Sequence, residues 1–537
     1  MHAGVDVATG AARAPRRKTL RAGPARVRTM PAAPSAARPA PSPWIERLAP
    51  FIAAMLAGVL VFHRALGYFF SQDDFLGLAR AAGLAPRLAG PWRLLSHQAI
   101  FDLMRPFAGL DATAYHAASL AIHAACCALL AALLMRRMSP AATTVGTVFF
   151  AVHPALFGAL YWFSAIGDSL SLLFALAALL LARRSDRARW FALPAFALSL
   201  LAKESTILLP AVAALVARLE PAATQVRGGG RRGVTLGLAA IALAYAATFL
   251  AGDAFGVRRE LSPAAPYAFG VGAHMAVNAL TYLGWTGGFL TPFVHGFMDA
   301  ADPAAYPWAV GTLLLWLAGL ASRRLRRSGW AAAGAMWLLF LLPVLGLRNH
   351  TYHYYLYAPL AGAAWCVAAA LDRAIPAGRA AWPVAGAFAA LLALNGTLLV
   401  RRIETAPFVL AELRAEPVID RARIARNVRE GLALAALPPG VTLLFWSPNA
   451  ASLGPRGERL EGPAPTETYW EVNVREALLG GLAVRVMFPQ VAEVRFVREF
   501  RPTPANEWYA AYRPDGRVRV ARSAEVDSIL RAAGARP

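Results

Sequence analysis

The sequence has little charge for its length. Of its 537 residues, 16% are charged and 58% are hydrophobic, and the mean hydropathy is +0.45. Soluble globular proteins carry roughly 25% charged residues. The shortage of charge excludes an ordinary soluble protein and indicates a chain that crosses a membrane many times.

Acidic residues are the scarcer of the two signs. The chain has 31 Asp and Glu against 54 Lys and Arg, which gives a formal net charge of +23. Such an excess is common in nucleic-acid-binding proteins. Here, however, the basic residues form short clusters between apolar runs, as at 136–139 and 323–327. Clusters of this kind mark the cytoplasmic ends of membrane spans. We therefore expect membrane lipids, and no nucleic acid, among the partners.

Cysteine is also rare. The three cysteines, Cys126, Cys127 and Cys366, all lie within apolar runs. Their spacing matches no metal-ligand pattern and implies no disulfide framework. We interpret them as small buried hydrophobic residues.

Long apolar runs fill the middle of the chain, and a spanning helix requires about 20 apolar residues. The candidate spans are 45–66, 113–135, 140–157, 167–182, 189–202, 204–219, 234–251, 305–322, 329–347, 355–371 and 381–400. If the basic clusters and the N-terminal tail face the cytoplasm, these eleven spans alternate consistently. The pattern predicts an α-helical polytopic membrane protein with about 11 transmembrane helices, a cytoplasmic N-terminus and a periplasmic C-terminus.

Composition divides the chain into three parts. Residues 1–44, rich in Ala, Pro and Arg, are expected to form a disordered basic cytoplasmic tail. Residues 45–400 form the transmembrane domain, in which 266–290 is interpreted as a re-entrant or interfacial helix on the outer side. Residues 401–537 contain an amphipathic helix and the strand patterns "VTLLFWSP", "AEVRFVREF" and "WYAAYRPDGRVRVA". They predict a small periplasmic α/β domain.

The rare ionisable groups of the transmembrane domain concentrate at one predicted face of the membrane. They come from the first loop (67–112), the segment 153–168, the hairpin at 202–205 and the turn at 348–359. The set is Asp73, Asp74, Arg93, His97, Arg105, His153, Asp168, Lys203, Glu204, Arg348, His350 and His353. Ionisable residues gathered in this way in a membrane protein are a hypothesis of function.

Two pairs of adjacent charges suggest chemistry. Asp73 and Asp74 are candidates for a general base, because a carboxylate beside an apolar region can take a proton from a hydroxyl group. They can equally be interfacial acids or cap the helix that follows. Lys203 and Glu204 interrupt a long apolar stretch. They are either paired charges at a tight hairpin or a cation facing a phosphate, oriented by its neighbouring acid.

Other candidates also have two interpretations. Asp168 opens a predicted span and can cap its helix. The turn at 348–359 is dense in Tyr and His, which can form an aromatic belt or contact a phosphate and a sugar, with Arg348 supplying charge. Arg93 is an interfacial anchor or an anion-binding group.

No set of side chains has convincing metal-ligand spacing. His116 and His123 share a helix face, which favours packing over metal ligation. We expect no cofactor, although the adjacent carboxylates of Asp73 and Asp74 leave a divalent cation open.

Five motifs, in this order, resemble those of the GT-C glycosyltransferases, which use lipid-phosphate-linked sugars. They are "SQDDFLGL" (71–78), "GLDATAYHAASLAIHAACCALLAALLMRR" (109–137), "FAVHPALFGALYWFSAIGDSLSLLFALAALLLARR" (150–184), "LLAKESTILLP" (200–210) and "YYLYAPLAG" (354–362). The nearest branch is similar to the transmembrane O-mannosyltransferases with tetratricopeptide repeats and their bacterial relatives. In this chain, the domain at 401–537 stands in place of the repeats.

The resemblance implies an inverting hexosyltransferase of the bacterial inner membrane. Its donor would be a polyprenyl-phosphate-linked sugar, and its acceptor a hydroxyl group of a protein, lipid or glycan at the periplasmic face. Asp73 or Asp74 matches the acid taken to be the base. The chain departs from the family at Gly158, where an acid is usual, and at Tyr354, where an Arg is usual.

Two other classes of function fit the composition. A non-enzymatic transporter or flippase for a lipid-linked sugar would also place charges within the membrane, but such proteins often show repeated halves, and the sequence has no such repeat. A membrane scaffold that binds through its C-terminal domain would leave the charged cluster incidental.

Overall fold

The computed structural model describes residues 44–219, 230–251, 267–288, 303–375, 378–406, 416–446, 469–497, 504–512 and 516–532. The predicted tail lies outside the described residues except for Trp44, where the first helix begins.

The transmembrane part is helical, with a helix at each predicted span. Its helices are α1 Trp44–Phe62, α2 Asp74–Ala81, α3 Ile100–Ala108, α4 Ala112–Leu134, α5 Pro140–Ala151, α6 Phe157–Tyr161, α7 Ile166–Ala182, α8 Ala192–Ala202, α9 Leu209–Arg218, α10 Gly230–Leu250, α11 His274–Gly287, α12 Tyr306–Ala321, α13 Arg323–Arg327, α14 Trp330–Leu345, α15 Pro359–Ala374 and α16 Ala381–Thr405. Single helical turns, such as Glu204–Thr206 and His353–Leu356, connect several of them.

Local sequence explains where several helices begin. The side chain of Asp111 accepts a hydrogen bond of 3.0 Å from the backbone amide of Thr113 and caps α4. Ser139 caps α5 in the same way, with Pro140 in the first turn. A short polar side chain at the N-cap and a proline just after it satisfy or remove the amides that a helix start leaves unbonded.

Not all of the eleven predicted spans have helices long enough to cross a membrane. Among the described residues, five helical segments are long and apolar enough to cross a membrane, namely Glu46–Gly67, Ala112–Leu134, Phe163–Ala182, Pro303–Ala321 and Ala381–Thr405. The pair Pro140–Ala151 and Pro154–Tyr161, bent by 45°, is a sixth candidate. By contrast, α8 and α9 have 11 and 10 residues, about half the length needed to cross roughly 30 Å of hydrocarbon. The number eleven therefore stays a prediction.

The segment interpreted as re-entrant or interfacial contains a short helix. α11 has 14 residues and packs against α12 and α14. The side-chain amide of Asn278 donates to the carbonyl oxygens of Leu345 and Leu347, at 3.1 and 2.7 Å. These bonds fix α11 to the end of α14. Its depth in the membrane stays a prediction.

The C-terminal domain is a small α/β unit, as predicted. Its elements are α17 Pro417–Ala433, β1 Val441–Trp446, α18 Tyr469–Ala477, α19 Leu482–Met487, β2 Val491–Val497, β3 Glu507–Tyr512, β4 Val518–Arg522 and α20 Ser523–Ala532. The sheet order is β2-β1-β3-β4. β1 is parallel to both of its neighbours, whereas β3 and β4 are antiparallel.

One apolar core joins the C-terminal domain to the first loop. α19 packs against α2. The core includes Phe69, Phe70, Phe75 and Leu78 from the first loop and α2, together with Ile424, Val428 and Val484 from the C-terminal domain. The C-terminal domain therefore lies directly on the segment that carries Asp73 and Asp74.

Candidate functional site

A small pocket lies between the first loop, the start of α7 and the turn before α15. Its lining residues are Asp73, Arg93, Ser96, His97, Trp162, Ser164, Ala165, Gly167, Asp168, Lys203, Tyr267, Tyr354 and Tyr355. Five of these belong to the predicted set. The space inside is about 30 Å³, which is about the share of liquid volume that one water molecule takes.

Asp74 is buried and bonded to the backbone. Its Oδ2 accepts from the amide of Ser71 at 2.8 Å, and its Oδ1 accepts from the amide of Ser164 at 2.6 Å. Burial raises the pKa of Asp74 to about 7, against the lowering effect of these hydrogen bonds. Because each oxygen is engaged by an amide of a different segment, Asp74 ties the first loop to the segment before α7.

Asp73 has a different environment, although it is the next residue along the chain. It occupies the N-cap position of α2, but its side chain makes no capping hydrogen bond in the described structure. Instead it lines the pocket. Burial raises the pKa of Asp73, and the positive charges of Arg421, Arg93 and Arg80 oppose that rise. The capping interpretation therefore does not hold for Asp73, and the carboxylate is available to a molecule in the pocket.

Lys203 forms a buried ion pair with Asp168. Its Nζ donates to Oδ2 of Asp168 at 2.6 Å, and the two side chains are 8% and 2% exposed. The same Nζ lies 4.9 and 4.8 Å from the ring centroids of Tyr354 and Tyr355. At these distances, an ammonium is attracted to the ring faces. The hypothesis that Glu204 orients Lys203 is therefore wrong, because Asp168 takes that role.

Glu204 pairs with Arg93. Nη2 and Nε of Arg93 donate to the two carboxylate oxygens of Glu204, at 2.5 and 3.3 Å. This bidentate pair joins the first loop to the end of α8, so Glu204 pairs neither with Lys203 nor with Arg348. Arg93 and Gln72 both have positive φ, at 51° and 46°. Strained backbone of this kind tends to occur where a functional site fixes the chain.

His97 lines the pocket near these cations. Burial and the positive charges of Arg93, Arg80 and Lys203 lower its pKa to about 3. The imidazole is therefore neutral over the physiological range and can donate or accept a hydrogen bond without adding charge.

Three segments that form the pocket wall come close together at Gly167. The hydroxyl of Ser96 donates to the carbonyl oxygen of Ala202 at 2.7 Å. A Cβ atom on Gly167 would lie 3.0 Å from that oxygen and 3.0 Å from Oγ of Ser96. Glycine at this position allows the first loop, α7 and the end of α8 to converge.

The remaining histidines of the predicted set are buried behind the pocket wall. His350 packs against Tyr267, with ring centroids 4.3 Å apart. His353 packs against Trp285 at 5.0 Å. Nδ1 of His153 accepts from the amide of Ala155 at 3.2 Å. In the part of the chain that the structure describes, these three histidines do not line the pocket.

Two arginines of the predicted set also lie elsewhere. Arg348 is exposed, beside Gly270, and Arg105 is exposed at the end of α3. Within the described ranges, neither lines the pocket. That all twelve groups lie at one face of the membrane stays a prediction, and these two arginines lie outside the pocket.

The two departures from the GT-C pattern face each other. A Cβ on Gly158 would lie 3.1 Å from Cδ1 of Tyr354. The tyrosine ring thus occupies the space next to the glycine, and it also forms part of the pocket wall.

Several residues of the pocket and its surroundings were not predicted. Tyr354 and Tyr355 fall in a turn that was singled out for its aromatic content, so a signal for them existed. Trp162 falls within the motif at 150–184 but was not singled out, and Tyr267 carried no signal. Arg426, which donates to the carbonyl oxygen of Gly67, lies in the C-terminal domain and could not be related to the first loop by any local pattern.

The described residues contain no group of three or more His, Cys, Asp or Glu side chains that could hold a metal ion. The cation suggested for Asp73 and Asp74 stays a prediction. The cysteines are buried and free, as expected. The ring nitrogens of His123 bond to the hydroxyl of Tyr357 at 2.7 Å and the carbonyl oxygen of Ala151 at 3.0 Å, which is a packing role.

No protein family and no curated protein matches the chain. Among solved structures, it is similar to the oligosaccharyltransferase of Archaeoglobus fulgidus, which was crystallised with a tethered acceptor peptide containing the NVT sequon. The TM-score is 0.40 and the identity 14%, over 74% of this chain and 62% of that chain. The chain thus spans less than two thirds of that protein's length. A likeness of this size defines neither the family nor the activity of this chain.

Proposed function

We propose that this protein is a GT-C-type membrane glycosyltransferase. It moves a sugar from a polyprenyl-phosphate donor to an acceptor hydroxyl group, with inversion, at the periplasmic face of a bacterial inner membrane. The observation that carries the proposal is the pocket itself. Two carboxylates, Asp73 and Asp168, line the same small space as two cations, Arg93 and Lys203. Asp168 is bonded to Lys203, so the proposal assigns the base to Asp73.

Asp73 is the base in this proposal, and Asp74 is its support. The carboxylate of Asp73 takes the proton of the acceptor hydroxyl, and the oxygen attacks the anomeric carbon of the donor sugar. The bond from that carbon to the phosphate oxygen breaks, and polyprenyl phosphate leaves with the electron pair. A single displacement of this kind inverts the anomeric configuration. We assign the base to Asp73 because each carboxylate oxygen of Asp74 already accepts a hydrogen bond from an amide, that of Ser71 or that of Ser164.

In this proposal, Lys203 and Arg93 stabilise the leaving phosphate. Lys203 and Arg93 are held by Asp168 and Glu204 before any ligand arrives. Preorganised positive charge in a site with little water stabilises negative charge that develops as the phosphate leaves. His97 is neutral, so it adds a hydrogen-bonding group to the pocket without adding charge.

The aromatic side chains suit a sugar. Trp162, Tyr267, Tyr354 and Tyr355 line the pocket, and flat rings pack against the apolar faces of a pyranose while polar groups fix its orientation. The pocket holds only about 30 Å³, whereas ligand sites have roughly 300–1,000 Å³. We infer that the loops around the pocket separate when the donor enters.

A transporter or flippase for a lipid-linked sugar is the second candidate. The buried pair of Lys203 and Asp168 favours it, because paired charges inside a membrane often mark the path of a transported substrate. The two functions differ in chemistry: only the transferase releases polyprenyl phosphate.

The test uses the full chain in nanodiscs with synthetic polyprenyl-phosphate hexoses, and the released polyprenyl phosphate is measured. We expect Asp73→Asn to lower the release about 10²- to 10⁴-fold. The matched control is Asp102→Asn, because Asp102 is a carboxylate of α3 that pairs with Arg87 outside the pocket. Intact-glycan mass spectrometry of a deletion strain identifies the sugar and its acceptor.

Two results would contradict the proposal. One is equal release by wild type and Asp73→Asn. The other is no release from any donor, combined with a lipid-linked sugar that accumulates on one side of the membrane in the deletion strain, which would favour the transporter.

A further inference from the structure

A short extended segment, residues 267–271, is fixed to the chain that follows α14. The amide of Gly270 donates to the carbonyl oxygen of Gly346, and the amide of Arg348 donates to that of Ala268, both at 2.9 Å. We call residues 267–271 the bridge segment. Its backbone is held by these two hydrogen bonds, so its side chains have a defined position beside the end of α14.

The bridge segment exposes a large apolar surface. Tyr267, Phe269 and Val271, at alternate positions, are 47, 61 and 85% exposed. Apolar surface of this kind is unfavourable in water, and a contiguous patch of it marks contact with lipid or with a ligand. Tyr267 also lines the pocket. The exposed apolar surface is therefore continuous with the pocket wall.

A cation lies on the same surface. Arg348 is exposed, and a Cβ atom on Gly270 would lie 2.7 Å from its Nη2, so the glycine leaves room for the guanidinium. Across the described ranges, that guanidinium forms no hydrogen bond and no ion pair. The pocket cations differ, because Arg93 is held by Glu204 and Lys203 by Asp168. The donors of Arg348 are therefore open to an anion from outside the protein.

An exposed guanidinium beside apolar side chains matches the chemistry of a phosphate on a hydrocarbon chain. A guanidinium binds phosphate through two parallel hydrogen bonds, and the apolar side chains can contact the chain. The pocket holds only about 30 Å³, far below the roughly 300–1,000 Å³ of a ligand site. A lipid-linked donor must therefore meet the protein outside the pocket before the surrounding loops separate.

We propose that Arg348, Phe269 and Val271 form a first docking site for the donor. The guanidinium binds its phosphate, and the two apolar side chains contact its first prenyl units. The identity of the ligand rests on the proposed function. Tyr267 belongs to both surfaces, so a sugar carried by a phosphate at Arg348 lies next to the pocket wall when the pocket opens.

Binding can be measured without turnover. The full chain is placed in phosphatidylcholine nanodiscs with a polyprenyl phosphate that carries a diazirine on its first prenyl unit, and adducts are mapped by mass spectrometry after illumination. We expect adducts on the peptide that contains 267–271. Excess unlabelled polyprenyl phosphate should suppress them, whereas the same amount of phosphatidylglycerol should not.

Variants test the two parts of the site separately. Arg348→Gln should lower the adduct yield severalfold, and Arg348→Lys should lower it less, because it keeps the charge. Val271→Ser should lower the yield through the loss of apolar contact. The matched control is Arg105→Gln, because Arg105 is also an exposed arginine outside the pocket. It should leave the yield unchanged.

Kinetics give a second measurement. Arg348→Gln should raise the KM for the polyprenyl-phosphate donor about tenfold, the value of one hydrogen bond to a charged group. Because the docking site acts before the chemical step, kcat should stay the same. Arg105→Gln should change neither constant.

The proposal is overturned if Arg348→Gln forms adducts as the wild type does, or if Arg105→Gln loses them equally. It is also overturned if phosphatidylglycerol suppresses the adducts as well as polyprenyl phosphate does, since the surface would then contact membrane lipids in general. If Arg348→Gln does not fold, Arg348→Lys and Val271→Ser decide by the same yields. If no donor is turned over but the adducts form as expected, the proposed function fails and the docking site stands.

Discussion

Two neighbouring aspartates illustrate how position within a fold determines the chemistry of a side chain. Asp73 and Asp74 differ by one step along a helix start, which points their side chains in different directions. Asp74 turns inward to two backbone amides, whereas Asp73 faces the pocket. The same residue type therefore serves once as a structural bond and once as a candidate base.

Asp74 predicts a pH dependence of stability. Its pKa is about 7 in the folded protein, because of burial, and near 3.8 when unfolded. The folded state thus holds this proton more tightly, so the contribution of Asp74 to stability is fully present below about pH 4 and is lost as the pH rises to about 7. We expect the unfolding temperature of the wild type to fall between pH 5 and pH 8.

Asp74→Asn should reduce that fall, because an amide does not titrate. The variant should also unfold at a lower temperature at pH 5, since its NH₂ group faces a backbone amide and leaves a buried hydrogen bond unmade, at a cost of about 1–3 kcal/mol. Glu416, with a pKa that burial raises to about 7, titrates with the same sign and remains in both proteins. An equal fall in both proteins would show that Asp74 does not titrate in this range.

The ion pair of Lys203 and Asp168 is expected to affect both the stability of the protein and its reaction with the donor, and variants can distinguish the two effects. Lys203→Ala leaves a buried carboxylate without its partner, which typically costs about 3–5 kcal/mol. We expect Lys203→Ala to lower the unfolding temperature and to raise the KM for the polyprenyl-phosphate donor. Lys203→Arg should rescue only partly, because a planar guanidinium differs in shape and reach from an ammonium.

The double variant Lys203→Ala with Asp168→Ala separates the two effects. The double variant should recover much of the unfolding temperature, because no charge is left unpaired. Its KM for the donor should stay as high as that of Lys203→Ala. Unchanged donor dependence in a folded Lys203→Ala protein would leave the pair with a structural role alone, and Arg93 as the candidate for phosphate contact.

At the scale of elements, the site depends on three segments that converge around a glycine and a serine. The first loop, the start of α7 and the end of α8 meet at Gly167, and Ser96 and Ala202 complete the contact. The pocket is small because these segments are close, so their spacing controls what can enter.

Gly167→Ala should therefore affect stability and donor use together. The added methyl group would lie 3.0 Å from the carbonyl oxygen of Ala202 and from Oγ of Ser96, so these neighbours must shift by a few tenths of an ångström. Overpacking of this kind costs about 1–3 kcal/mol. The control is Gly311→Ala in α12, where no atom lies within 4 Å of the new Cβ. Equal thermal stability and equal KM for donor in the two variants would contradict the expectation.

At the scale of the whole molecule, the C-terminal domain and the transmembrane part pack against each other. They share an apolar core around the first loop, and the guanidinium of Arg426 in α17 donates to the carbonyl oxygen of Gly67 in that loop. If the protein uses a lipid-linked donor, the C-terminal domain and the first loop must lie on the side of the membrane where the donor sugar is presented.

Topology is the corresponding prediction. Reporter fusions after residues 137, 186, 230 and 325 should report the cytoplasm, and fusions after 90, 255 and 420 should report the periplasm, because basic clusters favour the cytoplasmic side. A fusion after 420 that reports the cytoplasm would contradict the eleven-span arrangement and the predicted side of the C-terminal domain.

The sequence by itself determined the helical class of the protein, the helices at the eleven predicted spans and the α/β character of the described part of residues 401–537. These properties depend on local periodicity and on the length of apolar runs, which a single segment carries within itself. The charged pocket was also anticipated in part, because unpaired ionisable groups are rare in such a chain and therefore visible.

Only the tertiary structure decided which charges meet. Lys203 and Asp168 are 35 residues apart, Asp74 and Ser164 are 90 apart, and Arg93 and Glu204 are 111 apart. No local pattern encodes such contacts, because they arise from the packing of whole helices. The same reason hid the contact of α17 with the first loop: Arg426 and Gly67 are 359 residues apart, and the fold alone brings them together.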